Sequence, residues 1–134
     1  HSLAGEFGHL DVGHSNLCSC GQTGCLERAV SGYWLQRDLD EPAAAILENE
    51  ERFLDWTDVL AQGLWAAVTL IDPAVIVLGG GMVAQGERLQ SRLQQLLGDR
   101  AALTNRPEPR VELGDSTGRS VLIGAGLLAK EALA

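Results

Sequence analysis

Four side chains near the start of the chain can share one metal ion: His9, Cys18, Cys20 and Cys25. They include every cysteine present, and beyond Glu27 the sequence holds neither cysteine nor histidine. Thiolate and imidazole suit zinc, and four protein ligands close a structural zinc site with no position left open for catalysis. Only one residue separates Cys18 from Cys20, so their sulfurs converge if the backbone turns sharply, and Gly21 and Gly24 permit such a turn. Cys25 stands where a helix is expected to begin, and a helix N-terminus favours a thiolate. The competing readings are a disulfide or inert core thiols. Three cysteines leave one unpaired, and C-x-C is poor disulfide geometry. His14 is the alternative to His9 as fourth ligand.

Two carboxylates, Glu6 and Glu27, bracket these ligands. Carboxylates are acceptors able to hold two neighbouring hydroxyls at once. If one ring nitrogen of His9 binds the ion, the other carries a proton free to donate to a ligand, and the metal fixes tautomer and ring direction. The alternative is structural, with Glu6 capping a turn and Glu27 decorating the first turn of a helix, where acids are favoured in any case.

Gly5-Glu6-Phe7-Gly8-His9, followed by Cys18-x-Cys20-Gly21-x-x-Gly24-Cys25-Leu26-Glu27, resembles the signature of the ROK family of repressors, open reading frames and kinases. The resemblance continues in Asp72-Pro73-x-Val75-Ile76-Val77-Leu78-Gly79-Gly80-Gly81 and in Leu122-Ile123-Gly124-Ala125-Gly126. It implies an α/β fold, the C-terminal lobe of an actin, Hsp70 and sugar-kinase-like (ribonuclease H-like) protein with a zinc-binding loop. It also implies that Glu6, His9 and Glu27 contact a hexose or N-acetylhexosamine, and that Gly79, Gly80 and Gly81 lie against the adenosine of ATP.

In such proteins the catalytic aspartate and both phosphate loops lie upstream of the Gly-Glu-x-Gly-His motif, and this chain begins at His1. The expectation is therefore a partial domain over 1–134, without catalytic residues and inactive alone, whose complete parent is an ATP- and Mg-dependent sugar kinase. The alternative is the effector-binding domain of a sugar-responsive repressor, with its DNA-binding helices in the missing N-terminal part. A third reading is a zinc-stabilised interaction fragment without ligand. Two departures from the family pattern stand out. The helical region after the zinc motif is short, and the loop opening at Asp115 is long, so Asp115 is assigned only a turn or helix-entry role.

The elements that must position these residues are legible from periodicity. Leu10 and Val12 alternate around Asp11 as the end of a strand and a turn, and the metal loop is expected over 13–24. Within the motif region 5–27 and the helical segment 25–71, one helix is expected from Cys25 to Leu39, with Ala29, Val30, Trp34 and Leu35 at helical spacing. Asp40-Glu41-Pro42 ends it. A short helix to Asn49 and a long one from Glu51 follow. In the latter, Phe53, Trp56, Leu60, Leu64, Ala67 and Ile71 form an apolar stripe, and Gly63 admits a neighbouring backbone.

The unit over 74–98 reads as strand, glycine turn and helix. Val75 to Leu78 is a continuous apolar run of the kind buried on both faces, and the helix from Gln85 to Leu97 points Leu89, Leu93 and Leu96 inward. Gly79 to Gly81 can equally be a plain strand-to-helix turn. After a polar loop from Thr104 to Pro109, the unit over 110–134 supplies a strand from Arg110 to Leu113. A closing helix from Val121 to Leu133 then packs Gly124 and Gly126 on the sheet.

Composition narrows the function further. The 134 residues are 46% hydrophobic and 21% charged, which suits one globular core with Trp34, Trp56 and Trp65 as large apolar anchors. A net charge of -8 argues against a nucleic-acid surface on this piece, because phosphate binding needs clustered Lys and Arg. No apolar run approaches a membrane span and no signal peptide is visible. Thiols that are free or metal-bound fit a reducing compartment, so cytoplasm is the expected location. Half of a two-lobed protein exposes apolar surface where its partner lobe belongs, which predicts self-association into a homo-oligomer.

Overall fold

The computed structural model describes residues 5–115 and 119–132. Parts of three sequence expectations lie outside them: the chain start over 1–4, the middle of the loop after Asp115, and the last turn of the closing helix.

A 3-10 turn over Phe7–His9 leads into β1 (Asp11–Leu17), which pairs antiparallel with β2 (Thr23–Cys25). The expected metal loop is thus mostly strand. His14, Ser15 and Asn16 read as loop because they are polar, yet β1 has an exposed side that tolerates them. The pairing is irregular, running Asp11 with Cys25, His14 with Gly24 and Leu17 with Thr23, so residues of β1 bulge between each pair. Only the knuckle between Leu17 and Thr23 remains as loop.

The helix expected from Cys25 to Leu39 is two helices, α1 (Leu26–Val30) and α2 (Gly32–Leu39). Ser31 breaks it. Its backbone is extended (φ -73°, ψ 141°), and its hydroxyl accepts from the Trp34 amide, so it serves as N-cap of α2. Gly32 makes the corner compact: a Cβ there would lie 3.0 Å from Met82 Sδ. Next come α3 (Ala43–Ile46) and α4 (Glu50–Ile71), the latter capped by the Asn49 side chain, which accepts from the Arg52 amide at 3.0 Å.

On α4 the expected stripe holds through Phe53, Trp56 and Leu64, all buried, but the side chain buried near the end is Val68 while Ile71 is 73% exposed. Gly63 admits a side chain, not a backbone: a Cβ there would collide with the methyls of Leu26 on α1. Of the three tryptophans, Trp34 and Trp56 are buried, and Trp65 is partly buried against the core.

The second half is a β-α-β unit. β3 (Val75–Leu78) pairs in parallel with β4 (Arg110–Leu113), register Val75 with Arg110 through Leu78 with Leu113, and the crossover carries α5 (Glu87–Leu103). The core joins Phe53, Trp56, Ala61 and Leu64 of α4 to Leu89, Leu93 and Leu97 of α5 and to Val111 of β4. Leu97 lies deeper than the expected Leu96, which is only partly buried.

Two expectations fail here. β3 is not buried on both faces, since Val75 and Val77 are 37% and 67% exposed. The closing helix α6 (Arg119–Ala132) does not pack its glycines on the sheet: among the described residues a Cβ at Gly124 or Gly126 would meet no atom within 4 Å, and Leu122, Ile123, Leu127 and Leu128 are exposed. Among the described residues, no helix is long and apolar enough to cross a membrane.

Candidate functional site

The irregular β1–β2 pair and the start of α1 bring His9, Cys18, Cys20 and Cys25 together. Their ligand atoms all lie within 4.8 Å of one another, as the four corners around a single ion require. Cys18 and Cys25 are buried and Cys20 is exposed. The knuckle closes through backbone hydrogen bonds from Cys18 N to Gln22 O (2.8 Å) and from Gly21 N to Cys18 O (3.0 Å), with Gly21 in the left-handed region at φ +87°. Gly24, at φ +89°, sits in the left-handed region that favours glycine, and a Cβ there would also push the Asp11 carboxylate aside. Cys25 is the N-cap of α1, as its expected place at a helix start requires.

The three cysteines are free, so neither disulfide nor dispersed core thiols describes them. His14 is not in the cluster: its Nδ1 accepts from the Asn16 amide at 3.1 Å.

The Cys18 and Cys25 thiols are shifted in opposite directions. A backbone hydrogen bond from Cys20 chiefly, with side-chain hydrogen bonds to Cys20, Cys25 and Ser19, lowers the Cys18 thiol from 9.0 to about 7 against the opposing effect of burial. Burial, added to the neighbouring Cys20 and Cys18, pushes Cys25 up to about 12. Packed thiols resist ionising together unless a cation shares their space, and a coordinated metal deprotonates all of them. The donor set of three sulfurs and one imidazole fits zinc in a closed, structural site.

His9 has two faces. Its Nδ1 lies 3.8 Å from Cys18 Sγ, while its Nε2 lies 3.9 Å from Glu6 Oε2, a carboxylate that is itself in solvent. Glu27, one residue beyond Leu26 on α1, rests against the turn: a Cβ at Gly8 would come within 3.1 Å of Glu27 Cβ and 3.3 Å of Glu27 Oε2. The hydrogen bond from Leu26 N to Leu10 O (2.8 Å) holds turn and helix together. Glu6 and Glu27 therefore both border the Phe7–His9 turn, next to the cysteines.

Gly79, Gly80 and Gly81 form a separate feature at the carboxyl end of β3. Gly80 has φ +90°, all three glycines are exposed, and among the described residues no heavy atom beyond their chain neighbours lies within 4 Å of where a Cβ on any of them would sit. Gly79 borders a mostly apolar cavity of about 220 Å³ with Val30, Ser31, Trp56, Met82 and Val83. The short helix α1 links the two features, carrying Glu27 at its first turn and Val30 at its last.

Sequence reasoning missed two residues that hold the site. Asp11 accepts from Gly13 N through Oδ1 at 2.8 Å, an Asx-type contact that the Asp-x-Gly spelling could have disclosed. Arg28, buried on α1, donates from Nε to Leu17 O at 3.1 Å, pairs with Asp38 at 2.7 Å and stacks 4.3 Å from the Trp34 ring centroid. It ties the residue before Cys18 to two helices, and nothing in the sequence marks it. Asp115 accepts from the Arg119 amide at 3.1 Å, as its helix-entry role requires.

A family model described as "ROK family" matches residues 1–132. The chain is 36% identical to an N-acetyl-D-glucosamine kinase of Pectobacterium carotovorum, in a match covering 61% of this chain and 35% of that protein. It is 33% identical to an N-acetylmannosamine kinase of Vibrio cholerae, covering 69% of this chain and 38% of that protein. Among solved structures, a ROK hexokinase from Thermus thermophilus superposes with a TM-score of 0.74 at 27% identity, over 93% of this chain and 47% of that one. A ROK glucokinase from Streptomyces griseus, solved with glucose and AMPPNP, gives a TM-score of 0.74 at 26% identity, over 96% of this chain and 52% of that one. The chain thus spans about a third of the curated relatives, and about half of the solved structures, that it matches.

Proposed function

The chain belongs to the ROK family, and from that premise we propose that it is the C-terminal, sugar-orienting part of an ATP-dependent kinase acting on a hexose or N-acetylhexosamine. The observation that carries this reading is the double-faced His9, with one ring nitrogen toward the cysteines and the other toward Glu6. His9, Cys18, Cys20 and Cys25 hold a structural zinc ion, whose chemistry is confined to locking the loop and the imidazole.

With Nδ1 committed to the ion, Nε2 keeps its proton and donates to a sugar hydroxyl, while Glu6 and Glu27 accept from neighbouring hydroxyls. Fixing the sugar in one orientation is the part these residues play in phosphoryl transfer. The base that takes the hydroxyl proton belongs to the upstream half. Gly79, Gly80 and Gly81 lie where the adenosine of Mg-ATP approaches, the end of a strand in an open α/β sheet being a usual ligand position. The exposed apolar side chains of β3, of α6 and of the last turn of α4 belong against the rest of the protein or a second copy of it.

The test is Glu6→Gln in the protein that carries both halves, with glucose, N-acetylglucosamine and N-acetylmannosamine titrated by calorimetry. A hydrogen bond to a charged group contributes about 1.5–3 kcal/mol, so the preferred sugar should bind about 10- to 150-fold more weakly. Unchanged affinity contradicts the proposed contact. Sugar binding without transfer of phosphate from ATP would mark an effector site of a repressor instead.

A further inference from the structure

Of the three cysteines only Cys20 is exposed, and its Sγ lies 3.6 Å from the Sγ of buried Cys25. We propose that Cys20 is a modification site for hydroperoxides, oxidised first and resolved by Cys25, so that a peroxide converts the metal cluster into a Cys20–Cys25 disulfide and expels the ion. The expulsion rests on the zinc reading above; the disulfide does not.

The partners follow from position. Cys25 is held by its place at the start of α1 and by the neighbouring hydrogen bond from Leu26 N to Leu10 O. Cys20 sits in the knuckle beside Gly21, so the knuckle is the side that moves when the sulfurs close from 3.6 Å to the roughly 2 Å of a disulfide. Cys18 Sγ, also within 4.8 Å of the other two sulfurs, contacts His9 and Ser19 at 3.8 and 3.9 Å, and is one residue from Cys20, a spacing that closes poorly.

In the first step the Cys20 thiolate attacks one peroxide oxygen, the O–O bond breaks, and hydroxide (or alkoxide) leaves and takes a proton. The product is a sulfenic acid at Cys20. In the second step Cys25, as a metal-held thiolate or as a thiol that gives up its proton in the step, attacks that sulfur, the S–S bond forms, the S–O bond breaks, and the departing hydroxide becomes water with a second proton. The two thiolates lose two electrons and the peroxide gains them. The divalent ion, left with Cys18 and His9, departs. His9 then has nothing to fix its ring beneath Glu6.

The full chain, loaded with zinc and freed of reductant, is treated with hydrogen peroxide. Zinc is followed with a chromogenic chelator, and cysteine linkage by peptide mass spectrometry without reduction. The expected result is release of the bound zinc in step with a linked Cys20–Cys25 peptide two hydrogens lighter than its thiols, both reversed by a thiol reductant plus zinc. Cys18→Ser should still form the Cys20–Cys25 link, whether or not it retains metal. In the wild-type chain a Cys18–Cys20 or Cys18–Cys25 link in place of Cys20–Cys25, or in either chain sulfinic acid at Cys20 with no link, overturns the proposal. A wild-type chain that never takes up zinc contradicts the metal reading alone, and the Cys20–Cys25 link remains the readout for the disulfide.

Discussion

Replacing Arg28 by methionine tests whether the metal knuckle is held from behind by a buried cation. Arg28 is 8% exposed, and Arg28→Met keeps the apolar stem while deleting the Nε donor to Leu17 O, the pair with Asp38 and the stack on Trp34. A hydrogen bond from a charged donor contributes about 1.5–3 kcal/mol. Asp38 is 36% exposed and regains water when its partner goes, so the pair itself contributes about 0.5–1 kcal/mol. The cation–π contact adds about 1 kcal/mol, part of which a methionine sulfur over the ring replaces.

Relief from burying the guanidinium offsets some of this loss, leaving a net cost of about 2 kcal/mol. With an unfolding entropy of about 2.1 cal/mol/K per residue, a 134-residue chain should melt about 7 °C lower. The assay is thermal unfolding by circular dichroism at saturating zinc, with zinc dissociation followed by chelator competition. Because Leu17 precedes Cys18, dissociation should also accelerate. A melting point within about 1 °C of wild type, with unchanged zinc release, would refute the idea that Arg28 anchors the knuckle.

Gly24→Ala should weaken both folding and zinc retention, because it places a side chain at φ +89° and against Asp11; a cost of about 2 kcal/mol or more is expected from chemical denaturation. If Gly24→Ala unfolds like wild type, the Asp11–Gly24 packing is not needed. In metal-free protein the thiols give stability a characteristic pH dependence. Cys18, lowered to about 7 from 9.0, adds stability that is present above pH 9 and lost as pH falls through 7. Cys25, raised to about 12, contributes stability present below pH 9 and lost as pH rises toward 12. Wild type measured against a Cys18→Ala, Cys25→Ala double variant in urea should show a relative maximum near pH 9, whereas a flat difference would exclude these shifts.

Much of the site was legible because its residue types are scarce. Cysteine occurs only at positions 18, 20 and 25, and the grouping expected of them with His9 is the one the fold makes. The β-α-β unit was legible because Val75 to Leu78 is a continuous apolar run and Leu89 and Leu93 follow at helical spacing. Other features depend on forces outside the local pattern. Ser31 looks like any helical serine until Gly32 meets Met82 and makes a corner there. Arg28 looks like a surface charge until Leu17, Asp38 and Trp34 converge on it. The open faces of β3 and α6 were unreadable for another reason, since hydrophobicity carries no address for its partner.

The most direct test of the account is side-chain nitrogen NMR of His9 in the protein carrying both halves, recorded metal-free, with zinc, and with zinc plus glucose or an N-acetylhexosamine. The account predicts that zinc shifts Nδ1 into the metal-bound range and leaves the proton on Nε2, and that the sugar then moves the Nε2–H resonance alone. A His9 ring that responds to neither addition, or a sugar that binds without disturbing Nε2, would contradict it.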